Sequence, residues 1–333
     1  MLELLSELCS KDGVSGNECD IRNAIIKKID GHCEYHVDGM GNIIAFKKGK
    51  KRPAAKIMID AHTDEVGLIA TYITSDGLIK FATVGGINTE CLLSQRVRFG
   101  DTVGVIGMKP VHLISADERK KLPKSDSLYI DIGCDSKEET ERFVKPGDTA
   151  VFDVPFVSNG DYVTARAIDD RAGCAMLIKM ILSDSEYDFY ATFTTQEEVG
   201  TRGAACAAYT VQPDYAICLE STTACDIPDV DGADKVSILG NGPVISFMDR
   251  GTLYDRDLFD VATNSGIKHQ LKTAVAGGNN SSAVQRSRGG VKTLAISVPC
   301  RYIHSSSCHA RLCDIEDAYK LCEHMLCRLG EGL

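Results

Sequence analysis

The sequence predicts an α/β fold, with helices on both faces of a sheet, interrupted by a β-rich insert. Three observations carry that expectation. Strand-like and helix-like stretches alternate after residue 160, the signature of a layered α/β domain. Short β-like runs separated by Gly, Asp and Pro fill residues 67–160, which is the texture of a small all-β module. The chain has 333 residues, enough for one large domain with an insert or for two domains.

Leu2, Leu4, Leu5 and Leu8, then Ile21, Ala24, Ile25 and Ile29, recur at helical spacing on either side of a GVSGNE break. Ser15 followed by Glu18 has the form of a capping box for the second helix. Residues 35–37 and 43–46 flank the turn DGMGN and read as a hairpin, and residues 55–61 form a short apolar strand ending at His62. The insert offers runs at 68–73, 78–83, 96–99, 102–106, 129–132 and 150–154. Beyond it come helix 171–183, strand 189–195, helix 202–209, strand 214–220, strand 243–248, a helical stretch at 254–265, strand 293–298 and a C-terminal helix at 314–328. The expected division is therefore an α/β domain of residues 1–66 and 160–333 around an inserted unit, 67–159.

A net charge of -10 argues against binding to nucleic acid or to anionic membranes. The N-terminus lacks the basic and apolar regions of a secretory signal, and no apolar stretch reaches bilayer length; a cytoplasmic protein is expected. The 14 Cys form no CxxC pair, and their frequent place in apolar runs suggests reduced, buried thiols.

Five clusters carry potential chemistry. His62 follows a strand, with Asp64 two residues on as an acceptor for its second ring nitrogen. Asp169 and Asp170 precede a helix, Glu197 and Glu198 follow a strand, Glu220 closes the apolar run AICLE, and His304 lies beyond another strand. Each alone has a plainer reading: a solvated His, a helix cap, solvated acids at a helix start, a strand-end acid, a loop His. Together they deliver two imidazoles and several carboxylates to the C-terminal ends of strands, where α/β sheets gather reactive groups. That donor set suits a pair of divalent cations, Zn2+, Co2+ or Mn2+.

In order and spacing, HTDEVG (62–67), AIDDRAG (167–173), EEVGTRGA (197–204), CLE (218–220) and RYIHS (301–305) closely resemble the M42 family of metallopeptidases, the glutamyl and leucyl aminopeptidases that build tetrahedral shells. The resemblance implies a mixed-sheet catalytic domain with an inserted β-barrel-like dimerisation domain, and a dodecameric homo-oligomer. It implies that His62, Asp169 and Glu220 hold one cation and Asp169, Glu198 and His304 the other, with Asp169 shared. Glu197 would be the general base and Asp64 would orient His62. The chain departs from the family pattern at Glu220, where many relatives have Asp. It also departs at Gly277-Gly278-Asn279-Asn280, where Gly-Gly-Thr-Asp is expected, and at Ser306-Ser307-Cys308, where a Pro and an acid are usual.

The expected activity is release of N-terminal residues from short peptides. Two cations would acidify a water lying between them and Glu197 would take its proton. A non-catalytic metal-binding scaffold is the main alternative. A glucan hydrolase fits less well, because Glu197 and Glu198 are adjacent and diverging, unlike the paired carboxylates of glycosidases, and the chain has no Trp for a sugar platform.

Overall fold

The fold, a computed structural model, describes all residues except 116, 118 and 119. Two helices, α1 (Leu2–Cys9) and α2 (Cys19–Ile29), lead into the hairpin β1 (Glu34–Val37) and β2 (Ile43–Lys47), then β3 (Ile57–His62). Six strands follow: β4 (Gly67–Ile73), β5 (Ile79–Val84), β6 (Arg96–Phe99), β7 (Thr102–Gly107), β8 (Tyr129–Asp131) and, after the short α3 (Lys137–Thr140), β9 (Thr149–Phe152). The chain then forms β10 (Val157–Asn159), β11 (Tyr162–Ala165), α4 (Ile168–Leu182), β12 (Phe189–Thr194), α5 (Arg202–Val211), β13 (Tyr215–Thr223), β14 (Val244–Ile245) and α6 (Arg256–Thr263). It ends with β15 (Gln270–Leu271), α7 (Ser281–Gln285), β16 (Lys292–Cys300), β17 (Cys308–Arg311) and α8 (Leu312–Glu331).

The main sheet has eight strands in the order β1-β2-β12-β3-β13-β16-β14-β15. It is mixed, as the resemblance implied. Its central four strands, β12, β3, β13 and β16, are mutually parallel, so all four end at the same edge. Register aligns Thr194 with His62 and Cys218 with Asp60, which brings Glu220, two residues past Cys218, level with His62. Alternation along each strand then sorts the faces. Ile57, Ile59, Ala61, Ile217 and Leu219 pack on one side, under α1, α2, α4 and α8. Met58, Ala216 and Cys218 pack on the other, against Ala204, Ala207 and Ala208 of α5 and Val284 of α7. Helices thus cover both faces.

The helices show why their sequences choose those places. In α8 the buried residues Ile315, Ala318, Tyr319, Cys322, Met325, Leu326 and Leu329 repeat at three- and four-residue intervals and form one apolar stripe. Gly332, in the left-handed region at φ 97°, ends it, a conformation that costs glycine little. In contrast α4 is buried nearly all round, as befits a helix in the middle of a layer. Ser15 corrects the capping expectation. The α2 N-cap is Glu18 without a side-chain cap bond, and the Ser15 hydroxyl donates to Asp64 Oδ2 at 2.6 Å. Tertiary contact has taken the group that local propensity would have used.

Strands β4-β5-β8-β7-β6-β9 close into a barrel, removing the exposed edges that a small sheet would carry. Its interior is a separate core that includes Leu68, Ile79, Phe81, Val97, Phe99, Ile130 and Phe152. An ionic chain, half-buried at Arg98 and Asp12 and buried beyond them, couples barrel and sheet. Arg98 of β6 binds Asp12 through Nη2 at 2.5 Å, and Asp12 accepts from Arg166 at 2.8 Å. Arg166 pairs with Glu65, whose other neighbour is the fully buried Arg171 at 3.2 Å. Six of the cysteines are buried, six half-buried and two exposed, so the buried-thiol expectation holds for only part of the set. No helix among the described residues is long and apolar enough to cross a membrane.

Glu65, 3 % exposed, is the acid that pairs with both buried guanidinium groups. Glu65→Ala should therefore destabilise the fold by about 3–5 kcal/mol, read from urea unfolding. A change below about 1 kcal/mol would show that solvent compensates the arginines.

Candidate metal centre

The common edge of the parallel quartet collects the candidate residues. His62 is the last residue of β3, and Glu197 and Glu198 follow β12. His304 lies in the connection between β16 and β17. Glu220 differs from expectation: β13 runs on to Thr223, so this acid is held within a strand. Of the adjacent acids at the start of α4, joined by a cis peptide, Asp169 belongs to the centre. Asp170 turns back, and its Oδ1 accepts the Gly173 N–H at 2.9 Å. The helix-capping role and the ligand-like role thus both occur, on neighbouring residues.

Two overlapping groups result, His62–Asp169–Glu220 and Asp169–Glu198–His304, each with its nearest donor atoms mutually within 4.8 Å. Asp169 Oδ1 lies 3.3 Å from His62 Nε2, and its Oδ2 lies 3.5 Å from His304 Nε2. Glu220 Oε2 is 3.7 Å from His62 Nε2, and Glu198 Oε2 is 3.1 Å from His304 Nε2. The extra methylene of Glu220 therefore keeps its carboxylate in reach. A third grouping, His62–Glu197–Glu198, meets the same distance limit. Turns at the centre adopt left-handed backbone at Gln196 (φ 56°) and His304 (φ 59°), conformations that side chains other than glycine's enter at a cost and that gather at functional sites.

Asp64 is fully buried and acts as a hub. Its Oδ1 accepts the Glu197 N–H at 2.8 Å and its Oδ2 the Glu198 N–H at 3.0 Å, in addition to the Ser15 hydroxyl. His62 Nδ1 lies 3.1 Å from the Asp64 carbonyl and 3.4 Å from its carboxylate. The contact foreseen between Asp64 and the second imidazole nitrogen thus uses the backbone oxygen as the nearer acceptor.

Beneath the centre lies a second network that the motifs did not reveal. Buried Asp60 accepts from Thr192 at 2.6 Å and from Asn280 Nδ2 at 2.7 Å. Asn280 also donates to Thr194 Oγ1 at 2.9 Å, and its backbone N–H reaches Glu220 Oε1 at 3.2 Å. The departure at Asn280 thereby gains a physical reason. An amide there can donate to Asp60, whereas an ionised aspartate would meet it as a like charge. The lone acid in the apolar run IMIDAH was the available clue, since a buried carboxylate needs partners.

The electrostatics are unusual. Burial alone would push the His62 imidazole down, yet Asp169, Asp64 and Glu220 lift it well above its ordinary range. Burial opposes His304 too, and Asp169 and Glu198 raise it to about 11. Burial, reinforced by neighbouring carboxylates, pushes Glu197 up to about 8, against the pull of His62. Glu220 is raised well above its usual value by burial, with His62 opposing. Asp169 is driven down instead: the two imidazoles outweigh its burial.

Asp169, Glu197, Glu198 and Glu220 have no Lys or Arg within ion-pair distance among the described residues. Four crowded carboxylates and two imidazoles without such partners are a donor set that divalent cations fit, supplying the charge that protons otherwise must. A cavity of about 320 Å3 opens beside them, lined by Asp169, Glu197, Glu220 and His304. Glu198 faces a different recess with Glu65, Arg166 and His304, so the two adjacent glutamates diverge.

Residues 41–321 match the protein-family profile described as M42 glutamyl aminopeptidase. The lysyl aminopeptidase of Pyrococcus furiosus is 32% identical, over 97% of this chain and 96% of its own. A TET aminopeptidase from a marine sediment Thaumarchaeota archaeon superposes with a TM-score of 0.93 at 33% identity, covering 99% of this chain and 98% of that one. The TET1 peptidase of Pyrococcus horikoshii, described as assembling into a tetrahedron or a large octahedral shell, gives a TM-score of 0.84 at 38% identity, covering 97% and 98%. With the match running through both the sheet and the barrel, and with a donor set able to hold metal where the parallel strands end, the chain belongs to the M42 family of metallopeptidases and is an aminopeptidase-type hydrolase.

Proposed function

We propose that the protein is a dinuclear-metal aminopeptidase. His62, Asp169 and Glu220 would hold one divalent cation and Asp169, Glu198 and His304 the other. The observation that carries this reading is Asp169, whose two oxygens face different histidines, each accompanied by a further carboxylate. Zn2+ or Co2+ suits two imidazoles among carboxylates, and Mn2+ is also compatible. When bound, such cations supply Lewis acidity, which makes water a better nucleophile near neutral pH and polarises a carbonyl.

The chain's own groups would do the rest. Glu197 lines the cavity without being needed in either proposed triad. In this reading one of its carboxylate oxygens accepts the proton of the attacking water and returns it to the leaving amine. Its backbone N–H is pinned by Asp64, which fixes where that carboxylate starts. Asp64 orients His62 and the Glu197-Glu198 turn together. The clustered carboxylates favour a substrate's free α-ammonium group, which would restrict cleavage to chain ends.

The same reading assigns residues 1–66 and 160–333 to catalysis and 67–159, containing the barrel, to dimerisation. Like its relative that forms shells, the chain would assemble into a homo-oligomer, a dodecamer built from dimers. Fourteen unpaired cysteines suit a reducing, cytoplasmic setting, where short peptides are the substrates.

Chelation should abolish release of N-terminal residues, and added Zn2+ or Co2+ should restore it; activity that survives metal removal would exclude the metal-dependent mechanism. Glu197→Gln should keep its metal content, measured by elemental analysis, while kcat falls at least about 100-fold. Near-normal turnover would remove Glu197 from its role. Asp64→Ala should weaken metal binding about 10- to 100-fold, seen in a titration against a competing chelator. Unchanged affinity would make Asp64 dispensable to the centre.

A further inference from the structure

We propose that Glu18 is a positioning residue for Glu197: by accepting the backbone N–H of Gln196 it sets the turn that aims the proposed general base. The inference rests on the aminopeptidase reading of the centre and deepens it with a residue from the N-terminal loop.

The turn after β12 is held by side chains. The N–H groups of four successive residues each donate to a side-chain oxygen from an earlier part of the chain. Thr195 donates to Asn42 Oδ1 at 2.9 Å, Gln196 to Glu18 Oε1 at 3.2 Å, Glu197 to Asp64 Oδ1 at 2.8 Å and Glu198 to Asp64 Oδ2 at 3.0 Å. All three acceptor residues are buried. Asp64 also serves His62. The Glu18 hydrogen bonds go to Gly16 and Gln196, neither of which is a candidate ligand.

Gln196 is where the chain changes direction. Its backbone lies in the left-handed region, φ 56°, which a residue with a side chain enters at a cost. Peptide groups are planar, so the two planes that meet at a Cα fix its φ and ψ. One plane carries the Gln196 N–H and is held by Glu18. The other carries the Glu197 N–H and is held by Asp64. Together the two carboxylates set the dihedrals of Gln196, and with them the direction of the Glu197 side chain. With Asp64 alone, the first plane is free to rotate.

Reach, rather than helix capping, explains why a glutamate stands at position 18. It occupies the N-cap of α2 without a side-chain cap bond, where a shorter Ser, Thr, Asp or Asn caps better. Its side chain instead folds back to the Gly16 N–H at 2.7 Å and offers the same oxygen to Gln196. Gly16, at φ 88°, gives the loop its reversal at little cost. The loop itself is firm. Gly13 O accepts the Glu65 N–H at 2.9 Å, and the Ser15 N–H reaches Glu65 O at 3.3 Å. Asn17 Nδ2 donates to Thr149 Oγ1 of β9 at 2.9 Å. Glu18 therefore reaches the turn from a segment fastened both beside β3 and to the barrel.

A misplacement of about 1 Å in a reacting group costs on the order of 100-fold in rate. The test uses the full, metal-loaded chain and whichever aminoacyl p-nitroanilide it cleaves fastest. Glu18→Ala should lower kcat about 10- to 100-fold, with KM within about 3-fold of the wild type. Its metal content, from elemental analysis, should stay at the wild-type level. Glu18→Gln keeps the accepting oxygen and should recover most of the lost kcat. In the Glu197→Gln background, Glu18→Ala should cause no further loss, because Glu18 acts through the Glu197 carboxylate. A folded, metal-loaded Glu18→Ala protein with wild-type kcat overturns the proposal. So does an effect on KM alone, metal lost in parallel with activity, or a full extra loss in the Glu197→Gln background. Glu18→Gln as slow as Glu18→Ala also overturns it, by moving the role to the charge. If Glu18→Ala does not fold, Glu18→Asp, one methylene shorter, decides by the same split between kcat and KM. Each of those results leaves the aminopeptidase reading intact. Near-normal turnover of Glu197→Gln by itself removes the base and this proposal together. A metal-loaded wild type that cleaves no substrate overturns the aminopeptidase reading as well.

Discussion

The buried carboxylate of Asp64 ties together three chain segments that lie far apart in sequence. It takes the Ser15 hydroxyl from the N-terminal loop, stands beside His62 at the end of β3, and accepts both N–H groups of the Glu197-Glu198 turn. An acid with no solvent must find its compensation in protein donors. Here that need fixes the relative position of an imidazole and two glutamates. The ionised form is favoured despite burial: its hydrogen bonds and the neighbouring His62 outweigh the desolvation cost, and its pKa is lowered.

The sheet makes this arrangement possible. Parallel strands end on one edge, so the segments that leave all four must start into the same space. The register between β12, β3 and β13 then sets His62, Thr194 and Glu220 at one level. Below that level the Asp60–Thr192–Asn280 network supports the strand ends from the face that α7 covers. On the barrel side, Glu65 between Arg166 and Arg171 fastens the segment that follows His62 to the start of α4. The centre is thus held from two sides by buried polar networks, each of which is stable only when nearly every member is satisfied.

This construction explains the concentration of unneutralised acid. Four carboxylates held by neighbouring backbone cannot separate, and burial raises the pKa of Glu197, Glu198 and Glu220 together. Such a cluster stores affinity for positive charge, which cations, an α-ammonium group or protons can satisfy. The cavity beside the cluster also has the half-buried Lys272 among its lining residues.

The sequence by itself determined the class of fold and the identity of the residues that meet at the centre. Alternating apolar runs specify strands, the three- and four-residue repeat specifies α8, and spaced Gly, Asp and Pro mark the insert as short strands. Strand ends announced His62, Glu197 and His304 because the change from apolar to ligand-type residues is local. The sequence did not show that β13 continues past Glu220, since that extension depends on pairing with β16. Nor did it show that Ser15 abandons its helix for Asp64, that Asp169 and Asp170 take opposite directions, or that Asn280 serves Asp60. Each of these is decided by a partner between about 50 and more than 200 residues away or by the backbone geometry of a turn. Only the folded chain brings a buried polar group to its partner, and a polar group that has lost water takes whichever partner the packing supplies.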